Sequence, residues 1–245
     1  MGPFILMYHS IAEGSEDPYT VPPNKFEEQL SWLIERGFEA VSLATIVNLL
    51  KIGEYKSLRT KIVFTFDDGY KDFLTTALPI LLHYKVPATV FIVAGMLGDK
   101  VSWNSHSKHA QLMSEDEIRH IKAQGVSLGS HTMTHSNLAK VDEKKVYQEL
   151  VDSHITLRDL GESFYALSYP WGQWTNQVLN AVKVAGYECA VTASRKMPLG
   201  ATEYYCLPRV GIKGDMNLKS FQTLFDGSAI EFARKVGRVV KNFLQ

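Results

Sequence analysis

Two cysteines in 245 residues, Cys189 and Cys206, are too few for a disulfide framework. They read as a pair of semi-buried thiols. An excess of one charge is also lacking, since 26 Lys and Arg offset 26 Asp and Glu. A nucleic-acid-binding surface normally shows a basic excess, so nucleic acid is not expected as a partner. No run approaches the roughly 18 apolar residues that a membrane span needs, so no transmembrane segment is expected. Residues 1–10 hold an apolar stretch without a basic flank ahead of it and without a small-residue cleavage site, unlike a secretory signal. A cytoplasmic location is therefore expected for the chain as it stands, and an extracytoplasmic or cell-surface one if a leader has been removed. No linker rich in Pro, Gly or Ser interrupts the chain and no repeat is visible, so residues 1–245 read as one domain. The dinucleotide fingerprint GxGxxG, the P-loop and the GxSxG elbow are absent.

What is present is a soluble, globular balance, 45% hydrophobic and 21% charged. Short, near-continuous apolar runs read as strands buried on both faces: 4–8, 40–43, 61–66, 88–93, 126–129, 165–169, 189–193 and 207–212. Helical patterns lie between them at 24–36, 70–84, 114–124, 142–160, 176–185, 217–225 and 229–244. The helix at 114–124 opens on Ser-Glu-Asp-Glu, a capping box, and stops at Gly125. The final helical pattern has an apolar side (Phe232, Val236, Val239, Val240, Phe243) and a basic one, as a packing helix with a solvated face would. Seven or eight strand–helix alternations predict an α/β fold with a parallel sheet, either an open doubly wound sheet or a closed barrel.

The sharpest local signal is Thr65-Phe66-Asp67-Asp68-Gly69 at the end of an apolar run. Adjacent carboxylates raise each other's pKa, so something must compensate. A bound cation would do so. The plainer alternative is a pair that caps the next helix, with Gly69 making the turn. The second signal is Ser130-His131-Thr132-Met133-Thr134-His135 after another strand. Two imidazoles four residues apart can aim at one point, and neutral imidazole suits zinc and its neighbours. One Asp and two His make a three-ligand site of the kind that catalytic zinc uses, leaving the other Asp as a base. Both motifs end predicted strands, on the face where parallel α/β folds carry their active sites. His9, ending the first strand, would point to the same mouth by the same geometry, with a core or surface histidine as the plainer alternative. Tyr169-Pro170-Trp171-Gly172-Gln173-Trp174 follows a further strand. Its two Trp beside Pro and Gly suit a rigid loop that stacks on a sugar face, with ordinary rim packing as the alternative. His106 and His109 follow Trp103 in a polar stretch that lines a cleft or is simply solvated.

These residues resemble a known family. Thr65–Gly69 matches the first motif of the polysaccharide deacetylases (the NodB-homology group, carbohydrate esterase family four), and His131–His135 matches the second, H-[ST]-x-x-H. Tyr169-Pro170-Trp171-Gly172 resembles the third. The resemblance implies a distorted (β/α) barrel of about seven parallel strands and one divalent metal, usually zinc, with Co, Ni or Fe as alternatives. It implies hydrolysis of N-acetyl groups from an N-acetylglucosamine-type glycan. By position, Asp68, His131 and His135 would hold the metal and Asp67 would be the base. Tyr169, Pro170, Trp171 and Trp174 would meet the substrate, with the backbone N–H of Trp171 on the oxyanion. Two departures stand out. The family's C-terminal L-x-H acid is missing, and Met7-Tyr8-His9 instead resembles the circularly permuted branch that includes poly-N-acetylglucosamine deacetylases, in which this His is the acid. The third motif's Arg is replaced by Ser168; Arg209, in Leu207-Pro208-Arg209-Val210, is expected to reach in and orient Asp67. No residue matches the family's Asp that orients the acid His. The glycan stays open among poly-N-acetylglucosamine, chitin oligomers, peptidoglycan and a lipid-linked sugar. Two other readings compete: hydrolysis of a different non-peptide C–N bond on the same barrel, and an inactive glycan-binding domain. A non-haem iron oxygenase shares the ligand set, but the βα alternation argues against its usual fold.

Overall fold

The computed structural model describes residues 4–104, 110–194 and 204–225. In chain order it contains β1 (Phe4–Tyr8), β2 (Ser10–Ile11), β3 (Thr20–Val21), α1 (Pro23–Glu35), β4 (Glu39–Ala40), α2 (Leu43–Lys51) and β5 (Lys61–Phe66). A π-helical stretch, Phe73–Ala77, runs into α3 (Leu78–His83). Then come β6 (Ala88–Ile92), α4 (Glu115–Ala123), β7 (Ser127–Ser130), α5 (Glu143–Asp159), β8 (Ala166–Ser168), α6 (Asn176–Val184), β9 (Cys189–Val191), β10 (Val210–Gly211) and α7 (Leu218–Gln222).

The main sheet is parallel throughout, in the order β10-β1-β5-β6-β7-β8-β9, with the short β4 paired to the start of β5. These seven strands curl into a half-barrel with helices packed around it. Alternate strand residues serve two cores. Leu6, Phe64, Val90, Ile92, Leu128 and Leu167 face the helical layer. Ile5, Val63, Phe91, Ala166, Cys189 and Val191 face the other way and pack with Leu43, Ile46, Val47 and Leu50 of α2. Period-two alternation with both faces covered explains why the runs look continuously apolar.

Several expected boundaries move, each for a local reason. The apolar run 40–43 is not one strand. It stops at Ala40 because the Ser42 hydroxyl accepts the Thr45 N–H and caps α2, a helix the strand reading hides. The pattern 70–84 is not one α-helix: its first turns widen into a π-stretch ahead of Pro79, which has no N–H to offer the ladder. The capping box at Ser114–Glu117 forms in both directions. The run 207–212 splits. Leu207 bridges to Val191 of β9, and three residues later Val210 pairs with Leu6 of β1. This segment therefore spans the two edges of the curled sheet, with Arg209 at the changeover. The helical pattern at 229–244 lies outside the described residues. Among the described residues, no helix is long and apolar enough to cross a membrane.

One buried carboxylate ties the helical layer to the start of β7. Glu162 Oε2 accepts the Lys122 ammonium at 2.7 Å and the Leu128 N–H at 2.7 Å, while Oε1 accepts the Ser163 N–H at 2.9 Å. Burial pushes the Glu162 carboxyl up, but Lys122 and these N–H donors win and hold it below its ordinary 4.5. A carboxylate depressed on folding adds stability above its unfolded pKa and loses it as pH falls through the folded one. Glu162→Gln is expected to cost about 1.5–3 kcal/mol at neutral pH. Urea denaturation should show that deficit shrinking as pH falls below 4.5, and an equal deficit in acid would contradict the assignment.

Candidate active site

Because every strand of the main sheet runs the same way, the residues following each strand gather on one rim. His9 follows β1, Asp67 and Asp68 follow β5, His131 follows β7, and Tyr169 and Trp171 follow β8. They line one cavity of about 410 Å³, together with Arg209 from the seam segment.

The two adjacent carboxylates are in different circumstances. Asp67 is gripped by Arg209: Nη1 donates to Oδ1 at 2.7 Å and Nη2 to Oδ2 at 2.6 Å. Arg209 does reach Asp67, across 142 residues of sequence. A guanidinium has five N–H donors in a fixed fork. Here the remaining three go to Thr65 Oγ1 (3.1 Å), Ser168 Oγ (2.8 Å) and the Thr192 carbonyl (3.0 Å). Ser168, where the family motif would put its Arg, donates its own hydroxyl to Asp67 Oδ2 at 3.1 Å. Phe91 lies under the guanidinium at 5.5 Å, and Phe91 fits only because residue 129 is Gly: a Cβ there would sit 2.4 Å from its ring. Burial pushes the Asp67 carboxyl up, but the Arg209 guanidinium overrides it and holds it well below the usual carboxylate range.

Asp68 faces away from that pair, with a left-handed φ of 72°. Its Oδ1 lies 3.5 Å from His131 Nε2 and 3.4 Å from His135 Nε2, and it has no hydrogen-bond partner although buried. One ligand atom from each of the three residues falls within 4.8 Å of the others. Metal–ligand bonds of about 2.0–2.1 Å in tetrahedral array put neighbouring ligand atoms about 3.3 Å apart, so the Asp68 spacings suit a divalent cation. The imidazole state suits it too. Burial pushes His131 down to about 4, so its ring is neutral and able to ligate. Its Nδ1 pairs with the Ser168 carbonyl at 2.8 Å, turning Nε2 toward Asp68. The capping alternative for Asp67 and Asp68 is not realised, since helical structure begins only at Lys71, with Tyr70 before it.

The His131–His135 turn is held from both sides. Glu149 of α5, fully buried, accepts the Met133 and Thr134 N–H groups on Oε2 (2.8 and 2.9 Å) and the Thr134 hydroxyl on Oε1 (2.6 Å). Opposite, the Ala94 and Gly95 N–H groups donate to the Thr132 and Met133 carbonyls at 2.9 Å. These bonds keep Thr132 and His135 in the left-handed region, at φ of 66° and 57°, a conformation costing on the order of 1–3 kcal/mol per residue.

His9 enters the cavity with its ring against Tyr19 at 4.8 Å, and its buried Nδ1 has no hydrogen-bond partner. Asp72 pins the backbone just beyond it, accepting the Ser10 hydroxyl at 2.6 Å and the Ile11 N–H at 3.1 Å. Trp171 stands 55% exposed at the mouth with φ of 61°. The turn depends on Gly172, where a Cβ would lie 2.6 Å from the Ala193 Cβ. Tyr169 lines the cavity and donates its hydroxyl to the Tyr205 carbonyl at 3.0 Å. Pro170 is buried and is not part of the lining. Trp174 corrects an expectation: it lies off the lining and packs against Leu179 and Cys206 beside α6, the ordinary rim packing that sequence left open. The sequence reading misses Tyr19, Trp103 and Asn104, which also line the cavity. His106 and His109 lie outside the described residues.

Arg209→Met would leave the Asp67 carboxylate buried and unpaired, which costs about 3–5 kcal/mol in comparable pairs. Chemical denaturation should show that loss and should show much of it recovered in Arg209→Met/Asp67→Asn, where no charge remains to compensate. A single variant as stable as the wild type would contradict the pairing.

A profile of the polysaccharide deacetylase family matches residues 55–190. YxkH of Bacillus subtilis, whose name places it provisionally in that family, is 28% identical over 218 residues, covering 89% of this chain and 74% of its own. A poly-beta-1,6-N-acetyl-D-glucosamine N-deacetylase of Staphylococcus aureus is 26% identical over 222 residues, covering 86% and 73%. Among solved structures, the Streptococcus pyogenes deacetylase PplD in complex with acetate superposes with a TM-score of 0.77 at 24% identity, covering 92% of this chain and 99% of its own. IcaB from Ammonifex degensii gives 0.73 at 22%, covering 95% and 97%. These two likenesses concern the fold. With a family profile spanning more than half of its length, the chain belongs to the polysaccharide deacetylase family.

Proposed function

We propose that this chain hydrolyses N-acetyl groups from an N-acetylglucosamine-type glycan, giving acetate and a free amine, with one divalent cation held by Asp68, His131 and His135. The observation that carries the reading is the unequal treatment of two neighbouring carboxylates. Asp67 is bonded on both oxygens by Arg209, while Asp68 turns an unpartnered oxygen toward two imidazoles. The named activity of the Staphylococcus aureus relative supports the choice of sugar.

A cation in that position supplies Lewis acidity, making water a better nucleophile near neutral pH and polarising the acetamide carbonyl. Zinc suits the two-imidazole, one-carboxylate set, and Co, Ni or Fe suit it as well. Asp67 acts as general base and takes the proton of the attacking water. Arg209 keeps that carboxylate ionised and fixes its plane. The backbone N–H of Trp171 donates to the carbonyl oxygen as it gains charge, an interaction worth about 3 kcal/mol in comparable sites. His9 delivers a proton to the leaving nitrogen, which would otherwise depart as an unstable amide anion. The exposed indole of Trp171 offers a flat apolar face to a sugar ring at the cavity mouth.

Acetate release from a panel of N-acetylated glycans tests the reading. Turnover is expected on an N-acetylglucosamine polymer or oligomer, lost on chelation and restored by zinc. Asp67→Asn should lower kcat by roughly 10²-fold or more while keeping one equivalent of metal, and His131→Ala should lose metal and turnover together. Undiminished activity in either variant, or in chelator, would overturn it.

A further inference from the structure

The two imidazoles beside Asp68 are supported in different ways. A metal-ligating His usually gives its remote ring nitrogen to a carbonyl or carboxylate, which fixes the ring plane and tautomer. His131 follows that pattern through the Ser168 carbonyl. His135 does not: its Nδ1 is buried and without a partner, and so is the Thr132 hydroxyl in the same turn. Something else must stop the His135 ring from turning about its side-chain bonds.

Two indoles meet it. Trp103 lies flat on the His135 ring, with centroids 4.4 Å apart and planes 11° from parallel. Trp171 meets it edge-on at 5.1 Å and 72°. Of the two, Trp103 is the better anchored. It packs on a small cluster formed by Tyr70, Val101 and Leu112. Its strand-like segment is stitched down by Val101 N–H to the Ala110 carbonyl and Leu112 N–H to the Asp99 carbonyl, both 2.9 Å. The next residue, Asn104, donates its amide to Asp17 Oδ2 at 2.6 Å, tying the far side to the β2–β3 connection. A flat face fixed at both ends can define the plane of a ring stacked on it. Stacked aromatic pairs contribute about 0.5–1.5 kcal/mol beyond burial, the scale of an ordinary hydrogen bond.

We propose that Trp103 is a positioning residue for cation binding: its indole face sets the plane of His135 in place of the hydrogen bond that His131 has and His135 lacks. The inference rests on the reading of His135 as a ligand. Trp103 touches no reacting atom in it, so its effect falls on affinity for the ion.

Zinc titration of the metal-free full chain against a chromophoric chelator measures this without any substrate. Trp103→Leu and Trp103→Met keep bulk over the ring but remove the π face, and thermal melting identifies which of them folds. Either folded variant is expected to bind zinc roughly 3–12-fold more weakly, with altered cobalt ligand-field bands. Trp103→Phe, which keeps a face, should stay within about threefold of wild type. Wild-type zinc affinity in a folded Leu or Met variant, with His135→Ala still losing the ion, would overturn the role of Trp103 and leave the ligand set intact. Wild-type affinity in His135→Ala would overturn the ligand reading beneath it.

Discussion

The buried pair between Arg209 and Asp67 is the constraint on which the rest depends. Both partners are almost wholly buried, and an ion pair in that position is tolerable only when its polar atoms are satisfied. Arg209 meets the condition with five donors on five acceptor contacts drawn from β5 and the residue after it, β8, and the residue after β9. The same residue sits where the chain crosses from β9 to β1. One guanidinium therefore joins the two edges of the sheet and decides which of two adjacent carboxylates is neutralised. With Asp67 spoken for, Asp68 is left facing His131 and His135.

Backbone strain follows the same map. Of the five non-glycine residues with left-handed φ among the described residues, Asp68, Thr132, His135 and Trp171 line or adjoin the cavity, and Lys85 alone lies in a remote turn. Strain of this kind persists only where the surroundings over-determine it. Here Glu149 and the Ala94–Gly95 backbone hold the turn that carries both imidazoles, and Gly172 lets the Trp171 loop sit against Ala193. The rim is rigid where ligands must converge.

Much of this is legible in the residues. The run Lys61–Phe66 is a strand to the residue, because both of its faces are covered and its one internal polar residue, Thr65, is buried and hydrogen-bonded. Asp67, Asp68, His131 and His135 carry their spacing in the sequence, and the rim follows from parallel strands. Arg209 is legible only as a demand: a motif lacking its Arg needs a cation from elsewhere, and Leu-Pro-Arg-Val offers one. Other features leave no local trace. Trp103 lies 32 residues from His135, and no periodicity announces a stacked pair at that range. Trp174 shows the converse failure. An aromatic beside Pro and Gly has the same local pattern whether it faces a cleft or a helix, and packing against Leu179 of α6 decides it. Helix α2 hides because its first apolar residue extends the preceding strand-like run, and only Ser42 marks the boundary.

Everything proposed for the cavity turns on Asp68, His131 and His135 together holding one divalent cation. Zinc-edge X-ray absorption of the full chain loaded with one equivalent addresses it most directly, because it counts and identifies the neighbours of the ion. Two imidazole nitrogens and a small number of oxygens are expected at about 2.0–2.1 Å, with no sulfur. A sulfur shell near 2.3 Å, or a spectrum unchanged when His131 and His135 are both replaced by alanine, would contradict it.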